Sequence, residues 1–239
     1  FSPDLLEETA KVSGQQLRAM GVDLALVSCL DILRDPRWGR SEECFGEDPF
    51  LASQMAKAVV RGIQSQGVAA CPKHFAVNSQ ELRRLSNNSV VDERTLREIY
   101  LTGFEMAVRE GKAKVIMTSY NMVNEQYANE NAHLLTDILK NEWGFDGFVM
   151  SDWGASNDHV EGVRNGSALE MPAPGLDSAM NLVEAVKSGR LSEADVDARV
   201  EELHPMGIWE RSDVPVRELE GMEQVTGLLY GEVPDKIEM

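Results

Sequence analysis

Gly147-Phe148-Val149-Met150-Ser151-Asp152-Trp153-Gly154 is the stretch of sequence on which the prediction of the fold rests. Its apolar run, Phe148 to Met150, predicts a short strand covered on both faces, because the run shows no polar alternation. Asp152 then lies where the strand gives way to a loop. In a parallel β/α barrel, the side chains that carry the chemistry come from this end of the strands.

The carboxylate and the aromatic side chain of this stretch suit chemistry on a sugar. Asp152 could attack or stabilise an anomeric carbon, and Trp153 could stack on the apolar face of a pyranose ring. The alternative is structural, since Asp152 could cap a helix that begins at Trp153. The stretch alone leaves both interpretations open.

The composition is that of a globular protein with a large excess of acidic residues. The chain has 239 residues, of which 43% are hydrophobic and 26% charged, enough for a sizeable core. Its 40 acidic and 23 basic residues give a net charge of −17, which argues against nucleic acid and anionic membranes as partners. Charges at Asp4 to Glu8 argue against a signal peptide at this N-terminus, and the compartment stays open.

Cysteines and histidines give no metal pattern, so we predict neither a metal nor a cofactor. The three cysteines are odd in number and widely spaced, which favours reduced thiols over a disulfide framework: Cys29, Cys44 and Cys71. The four histidines form no pair four residues apart: His74, His133, His159 and His204.

Helices and strands alternate along the chain. Apolar periodicity predicts helices at 4–20, 49–64, 92–110, 132–143, 178–188 and 193–203. Apolar runs predict strands at 22–30, 68–71, 114–118, 148–150 and 167–171. Alternating β and α units predict a parallel sheet.

Polar and aromatic clusters follow four of these strands, at 31–40, 73–74, 120–121 and 152–153. Clusters at the same edge of successive strands indicate an α/β fold of the TIM-type β/α barrel class, present here in part. A doubly wound open sheet would also place ligands at the strand ends. The absence of a glycine-rich phosphate loop disfavours a nucleotide ligand.

Three further groups of residues could contact a ligand, and each also has a structural interpretation. Lys73 and His74 could donate hydrogen bonds to sugar hydroxyls, or be a surface lysine and a buried histidine. Arg40 presents a planar fork to paired oxygens, or belongs to a salt-bridged loop. Tyr120 could orient a nucleophilic carboxylate, or be a core tyrosine.

These motifs occur in the order found in a known family. Over residues 5–203 the chain resembles the N-terminal barrel domain of glycoside hydrolase family 3, the β-glucosidase and β-xylosidase group. The motifs that carry the resemblance are Arg34 to Arg40, Glu43, Gly46 to Pro49, Lys73 to Phe75, Asp92 to Tyr100, Ser119 to Asn121 and Glu142 to Trp153.

The resemblance implies retaining hydrolysis through a glycosyl-enzyme intermediate. Asp152 matches the nucleophile and Trp153 the neighbouring sugar platform, while Tyr120 matches the tyrosine beside the nucleophile. The positions that hold the sugar hydroxyls are matched by Arg40, Lys73, His74 and Arg84. Residues 170–172, Glu-Met-Pro, resemble the β-glucosidase branch, whereas residues 76–78 differ from the β-N-acetylglucosaminidase branch.

The resemblance therefore implies an exo-acting β-glucosidase that acts on β-linked glucosides or short oligosaccharides. A β-xylosidase and a non-catalytic sugar-binding fragment are the alternatives. We expect an incomplete barrel domain at residues 1–203 and a C-terminal tail at 204–239, with a helix near Glu218 to Tyr230.

The family's first strands and its acid/base glutamate have no counterpart in this sequence. The glutamate usually comes from a second domain, so the resemblance implies that it lies outside this chain. An open barrel exposes strand edges, so we expect the chain to pair with the missing remainder of the enzyme or with another copy.

Overall fold

The structure is a computed structural model that describes residues 1–173 and 175–203. The predicted tail and its helix near Glu218 to Tyr230 lie outside the described residues, and the domain division at residue 203 stays a prediction. Among the described helices, none is both long enough and apolar enough to cross a membrane.

Five short parallel strands form the centre of the fold, and they lie side by side in chain order. They are β1 (Leu24–Cys29), β2 (Ala69–Lys73), β4 (Val115–Met117), β7 (Phe148–Met150) and β8 (Ser167–Leu169). β1 pairs with β2, β4 with β7 and β7 with β8, all parallel, and a single parallel bridge between Phe75 and Thr118 joins β2 to β4. Parallel pairing in chain order puts all carboxyl ends at one edge, as predicted for a β/α barrel.

Helices connect the strands. They are α1 (Pro3–Ala19), α2 (Pro49–Gln64), α3 (Glu93–Thr95), α4 (Thr102–Arg109), α5 (His159–Asn165), α6 (Leu176–Lys187) and α7 (Glu193–Leu203). π-helical segments at Leu96–Leu101 and His133–Glu142 occupy parts of two helices that the sequence predicts as regular. The sequence analysis did not predict α5.

Side-chain caps explain where several helices begin. The side chain of Asp48 accepts a hydrogen bond from the amide of Leu51 at the start of α2, and Pro49 follows at the first helical position. Asp158 caps α5 in the same way. The capping interpretation of Asp152 is wrong, because the helix after β7 begins only at His159.

The sheet is covered on both faces. In β7, Val149 packs in a cluster with Phe75 and Phe104, while Phe148 and Met150 pack in a second cluster on the opposite face. Each of the three β7 side chains is at most 2% exposed. The apolar run of the opening stretch therefore forms the doubly covered strand that its composition predicts.

A small three-stranded sheet lies beyond the ends of β2 and β4. It contains β3 (Asn88–Ser89), β5 (Met122–Val123) and β6 (Gln126–Tyr127), and the sequence analysis predicted none of these strands. The β5–β6 hairpin turns at Asn124 and Glu125, which both have positive φ angles.

Candidate active site

The candidate site lies at the carboxyl edge of the sheet, and each of four strands contributes to it. Asp31 follows β1, His74 follows β2, Tyr120 follows β4 and Asp152 follows β7. Because the strands are parallel and adjacent, residues that are distant in the chain come together at this edge. Lys73 is the last residue of β2, so His74 lies beyond the strand. Its side chain therefore need not point away from that of Lys73, as successive side chains of a strand do.

A buried histidine links two carboxylates at the centre of this edge. His74 Nδ1 lies 2.8 Å from Asp31 Oδ2, and His74 Nε2 lies 3.5 Å from Asp152 Oδ2. A carboxylate only accepts hydrogen bonds, so Nδ1 is the nitrogen that carries a hydrogen. The backbone amides of His74 and Asn78 also donate to Asp31, whose side chain is fully buried.

The charge of His74 follows from these neighbours. Burial is the largest single influence on the pKa of His74 and favours the neutral imidazole, but the hydrogen bonds to Asp31 and Cys29 and the charge of Asp31 together outweigh it and raise that pKa to about 9. An imidazolium between Asp31 and Asp152 compensates two buried negative charges. In the neutral form, Nε2 would instead accept a hydrogen bond from Nη1 of Arg40, which lies 3.1 Å away.

Arg40 and Lys73 both pair with the carboxylate of Glu43. The guanidinium of Arg40 forms a bidentate pair with Glu43, with Nε–Oε1 and Nη2–Oε2 distances of 2.6 and 2.8 Å. Lys73 Nζ lies 3.9 Å from the same carboxylate. Hydrogen bonds from Arg40 lower the pKa of Glu43. Both interpretations of Arg40 are therefore compatible, since it is salt-bridged and also reaches His74.

Tyr120 and Arg84 stack on each other near Asp152. The hydroxyl of Tyr120 donates to the backbone oxygen of Trp153 at 3.0 Å, and the Arg84 guanidinium lies 4.4 Å above the Tyr120 ring. Burial and the nearby charge of Asp152 raise the pKa of Tyr120. Tyr120 is thus buried, as the core interpretation holds, and also lies beside Asp152. Arg84 is held in turn by Glu81.

Asp152 and Trp153 differ in exposure in a way that suits a ligand site. Asp152 is 7% exposed, and its Oδ1 accepts from the amide of Trp153 at 2.7 Å. The Trp153 side chain is 45% exposed, a large apolar surface at the mouth of a polar site. The structure thus brings all seven predicted site residues to one edge.

Sequence reasoning missed Asp31, Glu43 and Glu81 as parts of the site. Asp31 follows an apolar strand as Asp152 does, so the same pattern could have identified it. Glu43 is one of the residues that carry the family resemblance, and its pairing with Arg40 is the salt bridge expected of this loop, whereas Glu81 leaves no pattern of its own in the sequence.

One group of side chains in the described residues brings potential metal-ligating atoms within 4.8 Å of one another: Cys29, Asp31 and His74. The atoms already bond to each other, because the Cys29 thiol lies 3.3 Å from the Asp31 oxygen that also accepts from His74. This mutual pairing explains the group without an ion.

The arrangement can support nucleophilic attack by a carboxylate, but among the described residues it offers no evident proton donor for the leaving group. A retaining mechanism needs a second carboxyl about 5 Å from the nucleophile. Asp31 is fully buried behind His74, and Glu43 is ionised by its pairing with Arg40. Neither carboxyl suits the role of general acid.

Comparison with known proteins agrees with this geometry. Residues 1–205 match the family model of the glycosyl hydrolase family 3 N terminal domain. The chain is 48% identical over 200 residues to the thermostable beta-glucosidase B of Acetivibrio thermocellus, covering 84% of this chain and 26% of that protein. An exo-alpha-(1->6)-L-arabinopyranosidase of Bifidobacterium breve is 40% identical over 197 residues, with 82% and 26% covered.

A solved relative has the same fold. The structure of beta-glucosidase 3B from Thermotoga neapolitana in complex with glucose superposes with a TM-score of 0.84 at 39% identity, covering 96% of this chain and 33% of that one. The predicted β/α barrel class is thereby confirmed. The chain spans about a quarter to a third of the length of these relatives. A match over residues 1–205, a shared fold and a site at the expected strand ends lead to one conclusion: the chain belongs to the glycosyl hydrolase family 3 N-terminal domain family.

Proposed function

We propose that this chain forms the nucleophile-bearing part of a retaining, exo-acting β-glucosidase. One observation carries the proposal. Asp152 is buried at the carboxyl edge of the sheet, 3.5 Å from His74, and the adjacent Trp153 side chain is half exposed. A carboxylate fixed beside hydrogen-bond donors and an aromatic surface is the arrangement that attack on an anomeric carbon requires.

Asp152 is oriented for attack by its surroundings. The amide of Trp153 holds Oδ1, while Oδ2 faces His74. Tyr120 packs beside the nucleophile and fixes the loop through the oxygen of Trp153. We assign Asp152 as the nucleophile and Tyr120 as the group that orients it.

The donors around Asp152 suit the hydroxyl groups of a sugar. Carboxylates hold these cationic side chains in place, with Glu43 paired to Arg40 and Lys73 and Glu81 paired to Arg84. Charged donors form stronger hydrogen bonds to hydroxyls than neutral donors do. We assign sugar binding to four side chains of this edge, with Trp153 as the stacking surface: Arg40, Lys73, His74 and Arg84.

The proton donor is proposed to lie outside the described residues, because Asp31 and Glu43 do not suit the role. Relatives named as β-glucosidases, and a solved relative bound to glucose, favour β-linked glucosides or short oligosaccharides as substrates over xylosides. We propose that this chain acts together with the part of the enzyme that supplies the acid.

The test uses a substrate that needs no proton donor. The chain should release dinitrophenolate from 2,4-dinitrophenyl β-glucoside, and Asp152→Ala should lower the rate by about a thousandfold or more, as loss of a nucleophile does. Asp146→Ala is the matched control, because Asp146 precedes the same strand, is exposed and, within the described part of the chain, forms an ion pair with Lys114 alone. Equal rates for both variants, or no release by the unsubstituted chain, would contradict the proposal.

A further inference from the structure

Two thiols lie in contact directly behind the candidate site. The Sγ atoms of Cys29 and Cys44 are 3.3 Å apart, and both cysteines are free. Cys29 is the last residue of β1, and Cys44 follows a turn of 3-10 helix at Ser41–Glu43. The assigned nucleophile and sugar-binding residues do not include this pair.

The backbone around the two thiols already suits a disulfide. Cys29 and Cys44 are partners in a parallel β-bridge, so their side chains lie on the same side. Bridge partners on neighbouring strands lie about 4.8 Å apart, within the Cα separation of about 4.4–6.8 Å that disulfides adopt. Closing the sulfur contact to about 2.05 Å needs a small shift of the Cys44 segment and no rearrangement of the sheet.

We propose that Cys29 and Cys44 are a redox modification site. Oxidation by a peroxide or a small-molecule disulfide joins the two cysteines in a reversible disulfide bond, which weakens sugar binding. With hydrogen peroxide, the Cys44 thiol gives a sulfenic acid and one water. The Cys29 sulfur then displaces the hydroxyl as a second water, which leaves the disulfide. The two thiols are oxidised by two electrons, and the peroxide is reduced.

The order of these steps follows from exposure. Cys44 is partly exposed, whereas Cys29 is 4% exposed. The adjoining Cys44 thiol, burial and the charge of Asp31 raise the pKa of Cys29. Cys44 therefore meets the oxidant first, and Cys29 resolves the sulfenic acid.

The same two thiols form hydrogen bonds to residues of the site. Cys29 Sγ donates to Asp31 Oδ2 at 3.3 Å, and that oxygen also accepts from Nδ1 of His74. Cys44 Sγ donates to the backbone oxygen of Arg40 at 3.7 Å. Oxidation removes both S–H donors and draws the segment that carries Arg40 towards β1. His74 and Arg40 are thereby displaced together.

The effect on sugar binding rests on the proposed function, whereas formation of the bond does not. The bond is tested first, by treating the chain with hydrogen peroxide, blocking the remaining thiols and mapping peptides by mass. We expect a Cys29–Cys44 linked peptide, a loss of about 2 Da and full reversal by dithiothreitol. Cys71 should stay reduced, because it is 0% exposed and its sulfur contacts Met150.

Two readouts then test the coupling. The imidazole resonances of His74 should shift on oxidation whether or not a sugar binds, and glucose affinity should fall by about tenfold to a hundredfold, the size of one lost hydrogen bond to a charged group. Cys44→Ser keeps a donor for Arg40 and should abolish both responses, while Cys71→Ser should leave both intact. A missing linked peptide, or a linked peptide with unmoved His74 resonances, would overturn the proposal. The chain could also show shifted His74 resonances and yet bind no glucose. That result would contradict the proposed function and the predicted loss of affinity, and it would support only the disulfide and its link to His74.

Discussion

His74 lies 3.5 Å from Asp152 through one ring nitrogen and 2.8 Å from Asp31 through the other. His74, at the end of β2, therefore connects Asp31 at the end of β1 with Asp152 at the end of β7. Among the described residues, His74 is the link between Asp31 and Asp152, so Asp31 is a positioning residue that acts through the charge and orientation of the ring.

The first prediction concerns Asp31→Asn, which keeps the shape of the side chain and removes its charge. The pKa of His74 should fall from about 9 towards or below the ordinary histidine value of 6.5, because burial then acts without the Asp31 carboxylate. Histidine NMR titration measures the change, and glucose affinity at neutral pH should fall with it. Asp35→Asn is the control, since Asp35 pairs with Arg37 at the surface. An unchanged His74 titration in Asp31→Asn would contradict this account.

The second prediction is the pH dependence of stability. A histidine whose pKa is raised on folding contributes stability that is complete below its unfolded pKa, and that stability is lost as the pH rises through its folded pKa. For His74 the window runs from 6.5 to about 9. The free energy of unfolding in urea should fall by about 3 kcal/mol across it, at about 1.4 kcal/mol per pKa unit. The Asp31→Asn variant should show a much flatter dependence, and equal slopes would count against the raised pKa.

The third prediction concerns Tyr120→Phe, which removes the hydroxyl that holds the oxygen of Trp153. Stability should fall by about 1 kcal/mol, the net value of one hydrogen bond. Turnover of the dinitrophenyl glucoside should fall by about tenfold or more if the hydroxyl also orients Asp152. Tyr100→Phe is the matched control away from the site. A loss of stability with full turnover would leave Tyr120 a structural residue.

The fourth prediction concerns Gly147, which precedes β7. A Cβ atom at this position would lie 2.6 Å from the backbone carbon of Lys114 and nearer still to its oxygen. Backbone cannot move away as a flexible side chain can, so Gly147→Ala should destabilise by about 3 kcal/mol or more. Gly39→Ala should be nearly neutral, because its nearest neighbour is a Glu81 side-chain atom at 3.7 Å. Thermal unfolding distinguishes the two variants.

Local sequence patterns identified the elements with strong end signals. The predicted bounds of α2 match the structure because Asp48 and Pro49 mark its start and Gly67 follows its end. The β7 strand and the place of Asp152 were predictable for a similar reason, since an apolar run ends abruptly at a polar residue.

Other features depend on contacts that the local sequence does not encode. β5 and β6 have two residues each, too few to show a period, and the buried residues of the π-helical segment at His133–Glu142 keep the spacing of a regular helix. The role of Asp31 depends on the pairing of β1 with β2, which brings it to His74. The contact between Cys29 and Cys44 likewise arises from a bridge between distant segments.

The most direct test of the central claim is covalent labelling of Asp152 with a 2-fluoro β-glucosyl fluoride. The reagent's leaving group needs little help from an acid, so the nucleophile can be tested in this chain as it stands. The account predicts one glucosyl adduct by intact mass, mapped to Asp152 and absent from Asp152→Ala. No adduct, or an adduct on another carboxylate, would contradict the assignment of Asp152 as the nucleophile.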